Sequence, residues 1–309
     1  MDILFLDQNK WIDLAKVHCG KISSGALHDV YRHLLNSLNK GKLLVPLTSS
    51  NIIETSKRND LTSRSHLALV QAEFSKGFVF RSRRSRLVVE IRNSLRILFG
   101  YEHTSLNKSW VIVPNFVRAF EEFDPSITAS AELMDKYIEP KYMYLDFMLN
   151  QDDKTRREAN TMSFQESDSL LKRIEERRLR FAAHDKEMRY RAYAALLFFD
   201  HQKIIVTELN SLGHTIQDME NLGPDTFMKF IENVPTLNVE LRLVMGRESQ
   251  AGALKANDLG DVGNFYTSIP YATRIVAEKN FVALATQTKL NKVYGVQLHT
   301  KLEDLLFYQ

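Results

Sequence analysis

Short apolar runs alternate with helix-spaced patterns at both ends of the chain. Residues Ile3 to Leu6 form the run ILFL, which stops at Asp7; in the QNKWIDLAK that follows, Trp11, Ile12, Leu14 and Ala15 recur at helical spacing. This pattern predicts a buried strand feeding a helix. Leu27, Val30, Tyr31, Leu34, Leu35 and Leu38 share one face of a second predicted helix, closed by Lys40-Gly41. The stretch KLLVPLTSSNIIETSKR repeats the design: a strand over Leu43 to Leu47, a Thr/Ser/Asn start signal, then a helix holding Ile52, Ile53 and Glu54. Pro46 argues against a long central strand there. A helix over Asp60 to Lys76, the run GFVF and a helical pattern through Leu98 come next.

The middle reads differently. From about Tyr101 to Pro235 helical patterning prevails and strand candidates are few, with Tyr190 to Phe199 the most apolar predicted helix. The tail then resumes the first style. Asp258 and Asp261 stand near a helix start, TRIVA is strand-like with Glu278 close behind, and YGVQLH supplies a further strand before a final helix over Thr300 to Leu306. The expected fold is α/β, a parallel sheet flanked by helices and built from residues 1–100 plus 236–309. A mainly helical insertion or second domain occupies 101–235.

Composition narrows the class without fixing it. A chain of 309 residues, 44% hydrophobic and 26% charged, can bury a core without staples, and its single cysteine excludes an intramolecular disulfide. The start at Met1-Asp2 lacks the basic opening and long apolar stretch of a signal peptide. The apolar stretch from Ala192 to Val206 is interrupted by Asp200, His201, Gln202 and Lys203, and is too short to span a bilayer. A soluble, cytoplasmic protein with no membrane association is expected.

Several chemistries lack their motifs. No GxxxxGK[ST] loop, no GxGxxG after the first strand and no GxSxG elbow occurs, and the nine histidines show neither HxxxH nor HxH spacing. Carboxylates remain. In an open parallel sheet, ligands bind beyond the carboxyl ends of the strands. Asp7 follows the first run, Glu54 lies about a turn into the helix after the second, and Glu278 follows TRIVA. Asp258 and Asp261, three apart, share a helix face. If their strands are neighbours, these acids converge on one rim, an oxygen-only set suited to Mg²⁺ or Mn²⁺. Each acid also has an ordinary role. Asp7 and Asp258 suit helix caps, Asp261 suits a first helical turn, and Glu54 and Glu278 suit solvent.

Two stretches resemble the PIN-domain nucleases. ILFLDQNKWIDLAK is similar to the opening strand, Asp and helix of that family, and NDLGDVGNFYTSIPYATRIVAEKNF to its later acidic helix and strand; PLTSSNIIETSKR fits its Glu-bearing helix more loosely. The resemblance covers roughly the first 100 residues and the last 70. It implies Asp7, Glu54, Asp261 and Glu278 as an acidic catalytic quartet. Asp258 is either a fifth metal ligand or the true third acid. It further implies a Mg²⁺- or Mn²⁺-dependent endonuclease, RNA favoured over DNA. A regulatory protein partner and a stress or phage-defence role are family analogies. The family often carries Asp where this chain has Glu278, and Ala277 replaces a usual small hydroxyl residue.

Between residues 76 and 96, Lys76, Arg81, Arg83, Arg84, Arg86, Arg92 and Arg96 face one acid, Glu90. Arg81, Arg83, Arg84 and Arg86 are therefore candidate phosphate contacts, along with Lys10 and Lys279 beside the acids. A solvated helix face is the ordinary reading of such a run. Tyr137, Tyr142, Tyr144 and Phe147 suit core packing or base stacking. Two rival functions stand beside the nuclease: a small-molecule phosphohydrolase, and a catalytically weak partner-binding module on the same fold.

Overall fold

The computed structural model describes residues 1–120, 133–154, 156, 176–177, 179–181, 183–248 and 264–307. Strand β1 (Asp2–Leu6) runs through the middle of the sheet, and its alternate side chains serve two cores. Leu4 and Leu6 pack with Trp11, Leu14, Val30 and Phe74 on one face; Ile3 and Phe5 pack with Phe265, Ile269, Phe281 and Leu284 on the other. A parallel strand covered on both faces needs this unbroken apolar run.

Helices α1 (Gln8–His18) and α2 (Ala26–Asn39) carry the chain back to β2 (Leu43–Leu44), parallel to β1. On the other side of β1 lie β5 (Arg274–Val276) and β6 (Gln297–His299), both parallel. The order is β2-β1-β5-β6. The first crossover from β1 thus moves one way across the sheet, and the crossover from β5 to β6, through α12 (Lys279–Gln287) and α13 (Leu290–Tyr294), moves the other way. The crevice between the carboxyl ends of β1 and β5 is the point where ligands bind in open α/β sheets.

Pro46 lies just past β2, whose pairing with β1 ends at Leu44. Leu47 pairs instead with β3 (Phe78–Phe80), donating to Phe78 O at 3.1 Å and accepting from Phe80 N at 2.9 Å. β3 is antiparallel to β4 (Ile112–Pro114). This strand falls in the stretch that reads as helical, a correction to the pattern-based expectation. Three residues are too few to show a strand period.

The remaining helices are α3 (Ser49–Ser56), α4 (Leu61–Ser75), α5 (Arg83–Leu98), α6 (Pro140–Asn150), α7 (Lys186–Asp200), α8 (Gln202–Ser211), α9 (Ile216–Asn221), α10 (Pro224–Asn233) and α11 (Pro235–Glu248). Residues 101–235 divide between cores. Met143, Tyr144 and Met148 of α6 join the sheet core beside α4, whereas Tyr193, Leu197 and Phe230 close a third cluster with Leu87, Ile91 and Leu95 of α5 and Leu237 of α11. Gly77 fixes the first of these contacts. Its φ is +78°, and a Cβ there would stand 2.3 Å from the Pro140 carbonyl carbon, so only glycine lets α6 start against the α4–β3 turn. No helix among the described residues is long and apolar enough to cross a membrane.

Candidate active site

Asp7 and Glu278 stand just past the carboxyl ends of neighbouring strands, Asp7 one residue and Glu278 two residues beyond them. Leu6 pairs with Val276, and the Asp7 N–H extends the ladder to Val276 O at 3.0 Å. Each acid is the residue before a helix: Asp7 caps α1, its Oδ1 accepting the Gln8 N–H at 2.8 Å. Glu278 holds the same position before α12, yet its carboxylate makes no capping bond. It accepts instead from Asn9 Nδ2, on the helix that Asp7 opens.

Asp7 is buried, and loss of solvent raises its pKa; the Gln8 N–H opposes that rise and the Glu278 charge adds to it. Glu54, half-buried in the last turns of α3, is pushed up to about 7. Burial is the main cause and Asp7 the next; Lys57 and Arg58 give partial relief, and Glu278 raises it further. Three chain segments therefore bring three carboxylates into one another's fields at the carboxyl edge of β1 and β5. Asp258 and Asp261 lie outside the described residues.

The Glu54 shift has a pH signature. Its folded pKa lies above the ordinary value of 4.5, so ionisation in the folded state is penalised. The group is neutral to stability below about 4.5; its penalty builds as pH rises towards 7 and remains in full above that. Glu54→Gln in excess EDTA is expected to be more stable than the parent at pH 8, by about 2 kcal/mol after allowance for partial exposure, and nearly equal at pH 4. Urea unfolding at the two pH values measures this. An advantage independent of pH would place Glu54 in ordinary solvent.

The donors suit a hard cation in kind, since all are oxygens; burial and mutual repulsion raise Asp7 and Glu54 despite Lys10, Lys57 and Arg58 nearby. Among the described residues, no group of three or more His, Cys, Asp or Glu is close enough to hold an ion. Mg²⁺ commonly binds through one or two carboxylates.

The basic segment does not form the face its sequence suggests. Arg86 is 1% exposed, its guanidinium held by Arg81 O and by Thr267 Oγ1 at 3.0 Å. It cannot reach a phosphate, which corrects its assignment as a nucleic-acid contact. Arg83 turns inward to Glu240 at 2.5 Å and to His201 Nε2 at 3.0 Å, over the Tyr266 ring. Arg81 donates through Nε to Trp110 O. Arg84 is exposed. Nearer the acids, Lys10 reaches Thr300 O at 2.8 Å, whereas Lys57 and Lys279 are exposed. Of the candidate stacking residues, Tyr144 is fully buried, and Tyr137 and Tyr142 are exposed.

A buried polar lattice runs through the segments that carry the acids, and apolar patterning gives no sign of it. Thr48 caps α3 in a box with Asn51, and its Oγ1 stands 2.6 Å from Asn264 Oδ1. Asn51 Nδ2 donates to Gln8 Oε1 at 3.3 Å, and Gln8 Nε2 donates to Thr55 Oγ1 at 3.0 Å. Thr55 and the Tyr144 hydroxyl both donate to Gln71 Oε1, at 2.9 and 2.5 Å. The one local signal is Thr48-x-x-Asn51, a capping pair preceding apolar residues. Protein-family models, curated proteins and solved structures all offer no match to this chain.

Proposed function

We propose that this chain is a PIN-like, metal-dependent endonuclease that hydrolyses nucleic-acid phosphodiesters, RNA in preference to DNA. The observation that carries the reading is the meeting of Asp7, Glu54 and Glu278 at the switch point of a parallel sheet, each within the field of another. Mg²⁺ or Mn²⁺ would be held by these acids together with Asp258 and Asp261. When bound, it supplies an activated water and neutralises charge on the phosphate. Asp7 keeps its direction through the Gln8 N–H, and Asn9 holds Glu278. Without metal, Glu54 is pushed up to about 7; a bound cation would hold it ionised as one of its ligands. Lys57 and Lys279, exposed beside the acids, suit the flanking phosphates of a polyanion.

Purified chain incubated with mixed-sequence RNA and single-stranded DNA tests this. Cleavage of RNA is expected with Mn²⁺ or Mg²⁺ and none with excess EDTA. Cleavage undiminished in chelator, or none with any divalent ion, would sink the reading. A second reading, a partner-binding module on the same fold, has one observation in its favour. Leu133, Met134, Tyr137, Ile138 and Tyr142 expose apolar surface within ten residues of one another. Stable complex formation with a protein partner by a chain inactive on RNA would favour it.

A further inference from the structure

The polar lattice is drawn from the segments that carry the acids. Gln8 follows Asp7, Thr48, Asn51 and Thr55 surround Glu54 in sequence, and Asn264 comes three residues after Asp261. Helix capping accounts for the Thr48–Asn51 pair, since Thr48 Oγ1 accepts the Asn51 N–H at 3.2 Å and Asn51 Oδ1 accepts the Thr48 N–H at 3.1 Å. Capping does not require Asn264 or Gln8. Yet Gln8 is 6% exposed, Asn51 0% and Asn264 1%, so each amide has given up water for this arrangement. Asn264 Nδ2 has no partner among the described residues, so the arrangement is held at a cost. Apolar side chains would fill the same volume without that cost. They would not fix direction, because apolar contact is indifferent to rotation whereas a hydrogen bond is not.

The Thr48 hydroxyl has one proton and two acceptors within reach, Asn264 Oδ1 at 2.6 Å and Asn51 Oδ1 at 3.0 Å. Asn51 Oδ1 is already served by the Thr48 N–H, and the shorter distance favours Asn264. The Thr48–Asn264 bond is thus a direct side-chain tie between the start of α3 and the tail at residue 264. On the α3 side, Asn51 passes the constraint to Gln8, whose own N–H holds the Asp7 carboxylate.

We infer that Thr48 and Asn264 are positioning residues: their hydrogen bond latches the segment at residue 264 to the start of α3, and Asn51 and Gln8 carry that constraint to the Asp7 carboxylate. This rests on the nuclease reading above. Neither side chain touches substrate; each acts through the Asp7 carboxylate at the end of that chain of bonds.

Thr48→Val, Thr48→Ser and Asn264→Ala in the full chain test the latch by two readouts. The first is the Mn²⁺ concentration at which the thermal midpoint rises half-way; the second is kcat and KM on an RNA probe. Thr48→Val keeps the shape and loses the hydroxyl. It is expected to raise the Mn²⁺ midpoint and lower kcat, each by ~10-fold or more, with KM unchanged. Asn264→Ala should do the same, and Thr48→Ser should restore parent values of both. A folded Thr48→Val with the parent's Mn²⁺ midpoint and kcat would overturn the latch, even if it melts earlier, because a purely structural role moves only the melt. If Thr48→Val does not fold, Asn264→Ala decides by the same readouts, with the α3 cap intact. A parent that neither cleaves RNA nor gains stability from Mn²⁺ overturns the nuclease reading and the inference with it. A responsive parent with unaffected variants overturns the inference alone.

Discussion

Asp7→Asn is expected to reduce cleavage by roughly 10³-fold or more while leaving the metal-free protein at least as stable as the parent at pH 8. The two halves have separate causes. Cleavage is lost because the neutral amide is a poor ligand for a hard cation, and Asp7 sits where β1 meets β5. Stability is kept because Asn caps a helix about as well as Asp and can still accept the Gln8 N–H. The substitution also removes a buried charge lying in the field of Glu278. The folded pKa of Asp7 is raised above 3.8, so its ionisation is adverse at pH 8, and the advantage of Asn fades once the acid is protonated in both states. Divalent metal binding only the folded parent at ~100 times Kd should add about 2.7 kcal/mol, most of which the variant should lose. Thermal melts with and without Mn²⁺ test both halves. A variant that melts well below the parent without metal, yet gains as much from Mn²⁺, would show that Asp7 is only the cap of α1.

That both strand-end acids could be found from the sequence has a physical basis. An unbroken apolar run followed by an acid and a helical pattern is what a buried parallel strand feeding a helix looks like, and ILFLD and TRIVAE both have that form. Their adjacency was not legible. The order β2-β1-β5-β6 pairs segments some 270 residues apart, and nothing local to either strand encodes its neighbour. Strand β4 was missed because its three residues lie between a short 3₁₀ turn and Asn115, leaving no period to read. The polar lattice was missed for a different reason. Gln8, Asn51, Thr55 and Gln71 sit on helices, where polar residues ordinarily mark the solvent face. Only the tertiary packing of α1, α3 and α4 turns that face inward.

The basic segment errs in the opposite direction. A count of charge along residues 76–96 treats each guanidinium as free, but α5 has two sides. On the inner side, Arg86 lies one turn before Glu90, and Glu90 is buried as well. The i,i+4 spacing of Arg86 and Glu90 was visible in the sequence; in the fold their side chains go to separate partners, and Glu90 acts on Arg86 through its field.

Arg86→Met is therefore expected to destabilise the fold by about 2–3 kcal/mol, with no specific effect on nucleic-acid affinity in whatever protein remains folded. Desolvation lowers the Arg86 pKa, and the charge of Glu90 supports the protonated form. Glu90 accepts from Thr236 N and Oγ1, both at 2.8 Å, and from the Tyr271 hydroxyl at 2.5 Å. These donors anchor α11 and the residue run before β5 to α5, and they remain in the variant. What disappears is the positive charge that offsets a carboxylate held away from water, together with the bonds to Arg81 O and Thr267. Removing one of two opposite buried charges is costly, whereas replacing both by apolar groups is often tolerated. Arg86→Met combined with Glu90→Leu should accordingly be less unstable than the sum of the single changes. Arg84→Glu, on the exposed side, should shift stability by no more than about 0.5 kcal/mol. Urea unfolding of the four variants settles the matter: equal midpoints for Arg86→Met and Arg84→Glu would mean that Arg86 is solvated. If the midpoints separate as expected, Arg84 rather than Arg86 is the residue to report on phosphate contact, because any binding defect in an Arg86 variant would arise from a displaced helix.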